Sequence, residues 1–121
     1  MAKILVVDDS STVRTEVANY LKGKGYSVSE AVDGKDGLDK IKSDGELKLI
    51  ISDVNMPNMD GLTMAEKVRS DLRNPGVNII MLTTENSPAM KERGKAAGIK
   101  GWIVKPFNGD AIAGAIGKLV S

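Results

Sequence analysis

Three acidic residues and one lysine stand where apolar stretches of this chain end. "KILVV" (3–7) runs into Asp8-Asp9, "LKLIIS" (47–52) into Asp53, and "VNIIML" (77–82) into Thr83-Thr84, while "GWIVK" (101–105) ends in Lys105 ahead of Pro106. If these ends meet, three carboxylates share a small volume with one ammonium. Two carboxylates ~4 Å apart repel by about 4 kcal/mol at an effective dielectric of about 20. Such a cluster is tolerable when one carboxyl stays protonated or a cation sits among the group. Lys105 brings one positive charge against three negative ones. A hard divalent ion brings two, and Mg2+ takes a few carboxylate oxygens while keeping water positions open for an anionic substrate. A carboxylate flanked by Mg2+, a lysine and a hydroxyl suits phosphoryl chemistry, and it can itself accept the phosphoryl group as an aspartyl phosphate. Asp53 is the expected acceptor: it stands alone at the end of its strand, with Asp8 and Asp9 available to hold the metal.

Composition narrows the chemistry to the same groups. The 121 residues contain no cysteine and no histidine. Disulfides, thiolate nucleophiles and zinc–sulfur sites are excluded, as are the Ser-His-Asp triad and the commonest general base. Hydrophobic residues make up 41% and charged residues 27%, ordinary values for a globular chain. A net charge of +1 gives no global attraction to nucleic acid or an acidic membrane. No apolar run approaches the ~18 residues of a membrane span, and "MAKILVV" breaks at Asp8, too early for a signal-peptide core. A cytoplasmic protein of one domain, residues 1–121, is expected.

The elements that must position these residues alternate. Strand-like runs at 3–7, 26–31, 47–52, 77–82 and 101–105 are separated by helical patterns. Val13, Val17, Tyr20 and Leu21 share one helix face, closed by "GKG" at 23–25. Leu38 and Ile41 mark a short second helix after Asp33-Gly34. Leu62, Ala65, Val68 and Leu72 mark a third, with Asp60 as N-cap and Pro75-Gly76 at its end. A fourth spans 87–97 with Pro88 at its start and few large apolar residues. Ile112, Ala115, Ile116 and Leu119 form the last, in which Gly114 and Gly117 each cost roughly 1 kcal/mol. Five strand–helix units predict an α/β fold, a parallel sheet with helices on both faces. All strand C-termini then lie along one edge, where ligands bind. The polar strand ends converge there.

With those residues placed, "ILVVDDSSTVR", "LIISDVNMPNMDG", "IIMLTTE" and "AAGIKGWIVKPF" resemble the receiver domains of two-component response regulators, most closely the single-domain CheY-like chemotaxis type. The resemblance covers the whole chain and implies a (βα)5 flavodoxin-like fold with strand order 2-1-3-4-5. It implies that Asp53 takes a phosphoryl group from a phosphohistidine on a CheA-like sensor histidine kinase. Asp8 and Asp9 become the Mg2+ pair, Asp9 as direct ligand and Asp8 partly through water, with Asp53 and the Asn55 backbone carbonyl completing the set. Lys105 would pair with phosphoryl oxygens, placed by a Lys105–Pro106 bond that is usually cis in this family. Thr83 would be the switch hydroxyl and Trp102 the coupled aromatic, together reshaping the face formed by strand 4, helix 4 and strand 5. Asn55 and Glu85 flank the site and would tune loss of the phosphoryl group to water. The implied partners are the kinase, the flagellar motor switch and a phosphatase, for a monomer that catalyses only its own phosphorylation and dephosphorylation.

Three positions qualify the pattern. Trp102 stands where Tyr or Phe is usual, and Thr84, where a small residue is common, is expected to crowd the path from Thr83 to the aromatic. Residues 85–105 carry a net +3, which fits a solvated face or one suited to acidic partners. Other functions fit less well. A phosphatase of the haloacid-dehalogenase type needs a second acid two residues after the nucleophile, where this chain has Asn55. A flavin carrier needs aromatic surface, and aromatics are 3% of the chain. A phosphate sink or relay intermediate would share every site residue and differ only in lacking an output.

Overall fold

The computed structural model describes residues 2–72 and 76–121. Five strands, β1 (Lys3–Val7), β2 (Ser27–Ala31), β3 (Leu47–Ser52), β4 (Asn78–Thr83) and β5 (Gly101–Val104), form one sheet in the order β2-β1-β3-β4-β5. Every pairing is parallel. The helices are α1 (Ser11–Gly23), α2 (Gly34–Ser43), α3 (Gly61–Lys67), α4 (Pro88–Ala96) and α5 (Gly109–Val120).

Alternation along the strands splits the core in two, because successive side chains point to opposite faces of a sheet. Ile4, Val6, Leu49, Ile51, Ile80 and Leu82 face Val17 and Leu21 of α1 and Ile116 of α5. Leu5, Val7, Ile50, Ile79 and Met81 face Ile41 of α2, Leu62 and Ala65 of α3, and Ala97 just after α4. Central strands covered on both sides read as unbroken aliphatic runs, as β1, β3 and β4 do.

All five helices begin at the carboxyl edge of the sheet, and each has a capping side chain. Ser10, Asp33, Asp60, Ser87 and Asn108 accept hydrogen bonds from the backbone N–H of Val13, Asp36, Thr63, Met90 and Ala111. These caps satisfy otherwise unpaired amides and set the ends of the βα loops. The positive ends of the helix dipoles therefore gather on the edge that carries the acidic residues.

The expected third helix differs from the structure. The α-helix ends at Lys67 and continues as a π-helical turn over Val68–Leu72. Tertiary contacts account for what its apolar spacing does not show: Val68 is fully buried, and Arg69 donates to the carbonyls of Val77, Ala97 and Gly98. The expected stop at Pro75 lies outside the described residues. The other boundaries agree within a residue or two, and β4 extends one residue further to include Thr83. Among the described residues no helix is long and apolar enough to cross a membrane.

Candidate functional site

The register of the sheet carries the predicted residues to one place. Val7 pairs with Ser52, and Ser52 with Met81, so β1, β3 and β4 end within a residue or two of one another. Asp53 follows β3, and its N–H donates to the carbonyl of Val7, the last residue of β1 (3.0 Å), which carries the ladder one residue past the end of β3. One carboxylate oxygen from each of Asp8, Asp9 and Asp53 lies within 4.8 Å of the others. Asp8 (2% exposed) and Asp53 (8%) are buried, whereas Asp9 is exposed at the rim.

Lys105 lies between the two buried carboxylates. Its Nζ donates to Asp53 Oδ2 at 2.9 Å and sits 3.0 Å from Asp8 Oδ2. The second Asp53 oxygen accepts from the Val54 N–H at 2.7 Å, and the second Asp8 oxygen from the Ser10 N–H at 2.9 Å. Both side chains are thereby fixed in orientation. Burial pushes the Asp8 carboxyl above the ordinary aspartate range, against the opposing effect of the Ser10 N–H and Lys105. Burial also works against the Lys105 ammonium, but hydrogen bonds to Asp53 and Asp8 outweigh it and hold that pKa above the usual lysine value. The Lys105–Pro106 bond is cis, as the resemblance implied.

One ammonium among three carboxylates leaves the cluster about two charges negative when all are ionised. The donor set is all oxygen, converging and partly open at Asp9. This is the chemistry a hard divalent cation accepts. Asn55, two residues past Asp53, is exposed in the loop that leads into α3.

Thr83 is fully buried, and its Oγ1 accepts from the Glu85 N–H at 3.2 Å. Trp102 Nε1 donates to the Glu85 carbonyl at 2.9 Å. The Glu85 main chain thus links the expected switch hydroxyl to the expected aromatic, a connection the sequence alone did not show. The indole is half-buried, in reach of Gly94 on α4, where an added Cβ would lie 3.1 Å from the ring. Thr84 is exposed, and the Trp102 ring lies against Gly94 of α4.

Two supporting residues went unnoticed in the sequence. Arg14 donates to the Asp8 carbonyl at 2.8 Å and pairs with Glu30 on β2 at 3.1 Å, tying the β1–α1 turn to the sheet. Gly61, the first residue of α3, donates to the Val54 carbonyl at 2.9 Å, and a Cβ there would run into the Asp53 carbonyl. The "DG" at 60–61 shows a cap followed by glycine; only the fold shows what the glycine makes room for. Gly61→Ala is expected to destabilise the protein by about 2 kcal/mol, as overpacking does. Chemical denaturation would read that loss, alongside slower labelling of Asp53 by acetyl phosphate.

The response regulator receiver domain family matches residues 4–117 of the chain. The chain belongs to that family. Its relatives include the chemotaxis protein CheY1 of Helicobacter pylori, 45% identical over 106 residues that cover 87% of this chain and 86% of that protein. A CheY homolog of Campylobacter jejuni is 42% identical over 106 residues, with 87% and 82% covered. The crystallised chemotaxis protein CheY4 of Vibrio cholerae superposes with a TM-score of 0.89 at 43% identity, covering 98% of both chains. The response regulator TrrA of Thermotoga maritima, solved in complex with Mg(2+)-BeF, has a TM-score of 0.86 at 31% identity, covering 98% of this chain and 99% of that one. This receiver domain is CheY-like in sequence and fold, and its acidic pocket fits a phosphoacceptor site.

Proposed function

We propose that this receiver domain accepts a phosphoryl group on Asp53 from a sensor histidine kinase and converts it into a change of its β4–α4–β5 face, with the flagellar motor switch as target. The observation that carries this reading is the Asp53 carboxylate, buried and oriented between the Val54 N–H and Lys105, with Asp8 and Asp9 beside it. An Asp53 oxygen forms a bond to phosphorus as the P–N bond of a kinase phosphohistidine breaks, and the leaving imidazole takes a proton from solvent. The side chains of Asp8, Asp9 and Asp53 and the Asn55 carbonyl would hold Mg2+, which neutralises charge on the phosphoryl oxygens. Lys105, already directed at Asp53, follows the new oxygens. The protein turns over nothing but its own acyl phosphate, and Asn55 and Glu85 at the rim tune how water removes it.

Output follows from the Thr83–Glu85–Trp102 chain. Drawing the Thr83 hydroxyl toward the phosphoryl group disturbs its bond with the Glu85 N–H and, through the same peptide segment, the seat of Trp102. Beside Trp102, the side chains of Lys91, Lys95 and Lys100 with Ile99 line an open groove of about 190 Å3. None of these lysines is in an ion pair among the described residues, which suits an acidic target segment.

Beryllofluoride with Mg2+ tests the reading. It is expected to strengthen binding of a motor-switch fragment by roughly 5- to 150-fold, the range of ordinary allosteric coupling. That binding should weaken as salt rises, and Thr83→Ala should remove the gain while leaving Asp53 reactive. Asp53 that becomes phosphorylated with no gain in target affinity would make the protein a phosphate sink.

A further inference from the structure

The loop that carries Asn55, residues 54–60, has two polar ties to the start of α2. Asn58 Nδ2 donates to Asp33 Oδ2 at 2.7 Å, and the Gly34 N–H donates to the Met59 carbonyl at 2.9 Å. Asn58 adopts a left-handed backbone, φ 66°, a conformation that asparagine tolerates better than most residues. Gly34 has no room for a Cβ against the Met59 carbonyl. Asp33 is buried and divides its carboxylate between the two helices' approaches. Oδ1 caps α2 through the Asp36 N–H at 2.8 Å, and Oδ2 takes the Asn58 amide. The cap and the Asn58 amide hold the Asp33 carboxyl below the usual aspartate range, so the anion that receives both bonds persists at neutral pH.

We infer that Asp33 and Asn58 are positioning residues for the cation site: their hydrogen bond pins the 54–60 loop and so sets how tightly the Asn55 carbonyl and the acidic cluster hold Mg2+. The inference rests on the proposed Mg2+ site. Its physical basis is that Asn55 is exposed and lies between the strand-anchored Asp53 and the Asn58 tie. Hydrogen bonds that orient ligand-bearing groups commonly contribute a tenfold or larger factor in metal affinity. The other tie, Gly34 to Met59, is main chain to main chain and survives side-chain substitution, so the Asn58 amide can be removed without freeing the whole loop.

Two variants of the full chain test this by calorimetric titration with MgCl2. Asn58→Gly keeps the left-handed backbone without strain but deletes the amide, and it is expected to weaken Mg2+ binding about tenfold. In the metal-free protein, hydrogen exchange of the amides in 55–60 should quicken. The swap Asp33→Asn with Asn58→Asp reverses donor and acceptor at constant net charge, and asparagine caps a helix about as well as aspartate. It should restore affinity to within about twofold of the parent and slow exchange again. Parent-like Mg2+ affinity in Asn58→Gly would overturn the inference. So would a swapped variant that melts like the parent yet still binds weakly. A parent protein that takes up no Mg2+ would instead bring down the proposed site itself, which separates the two failures.

Discussion

Asp53→Ala is expected to abolish acid-labile phosphate incorporation from acetyl phosphate, and a chelator should do the same to the parent protein. No other group can substitute. Histidine and cysteine are absent from the chain, and Lys105 is held as an ammonium by Asp53 and Asp8, so the acceptor at the site is an oxygen. Asp8 is the more enclosed of the two buried carboxylates, with 2% of the residue exposed against 8% for Asp53. Asp9 is exposed at the rim, with no ion pair among the described residues. Thr83 is fully buried, and a neutral hydroxyl without a base is a poor nucleophile. Asp53→Asn keeps the side-chain shape and should lose labelling equally, which separates loss of the nucleophile from loss of the fold. Circular dichroism should show both variants folded. Substantial labelling of either, resistant to chelation, would contradict the assignment of Asp53 and of the cation site together.

The sequence revealed Asp8, Asp9, Asp53, Thr83 and Lys105 because strand ends are easy to find. A continuous aliphatic run marks a strand buried on both faces, and in a parallel sheet every such run ends on the same edge. Convergence therefore follows from topology before any side chain is placed. Contacts made to or by the main chain are not legible in the same way. Arg14 reaches a carbonyl, Gly61 makes room for one, and Glu85 links Thr83 to Trp102 with its own N–H and C=O. Side-chain chemistry says nothing about such roles, which depend on distances across elements far apart in sequence. The π-helical turn was hidden for a related reason. Leu62, Ala65, Val68 and Leu72 fit a continuous α-helix, while the grip of Arg69 on three carbonyls distant in sequence is a tertiary demand. Local spacing fixes which residues face the core; it does not show where one helical turn widens.

Lys105→Met should reveal the conflict within the site most directly. In the metal-free protein the variant leaves Asp8 and Asp53, with side chains 3% and 10% exposed, without the ammonium they share. Removing one partner of a buried ion pair typically costs ~3–5 kcal/mol. The cluster opens toward Asp9, so the lower end, about 3 kcal/mol, applies at neutral pH, roughly 10 °C in melting temperature for a domain of this size. The pH dependence has a definite sign. Burial already raises the Asp8 carboxyl, and Lys105 is among the influences that lower it. Without the lysine, Asp8 rises further above its unfolded value, so the variant is least impaired in acid and loses stability as pH climbs through that folded pKa. In the parent, the folded Lys105 pKa is raised, so the lysine's contribution is complete below its unfolded value and disappears only as strongly alkaline pH passes the folded one. The stability gap between parent and variant should therefore open above the acid range and close again near Lys105 titration. Millimolar Mg2+ should narrow it further, because a ligand that binds the folded state stabilises it by mass action and the variant no longer sets an ammonium against it. Thermal melts across pH, with and without Mg2+, measure all of this. A gap independent of both would mean that Lys105 contributes by packing rather than by charge. Asp53 should still label in this variant, while the beryllofluoride-induced gain in target binding falls, because the group that follows the phosphoryl oxygens is gone.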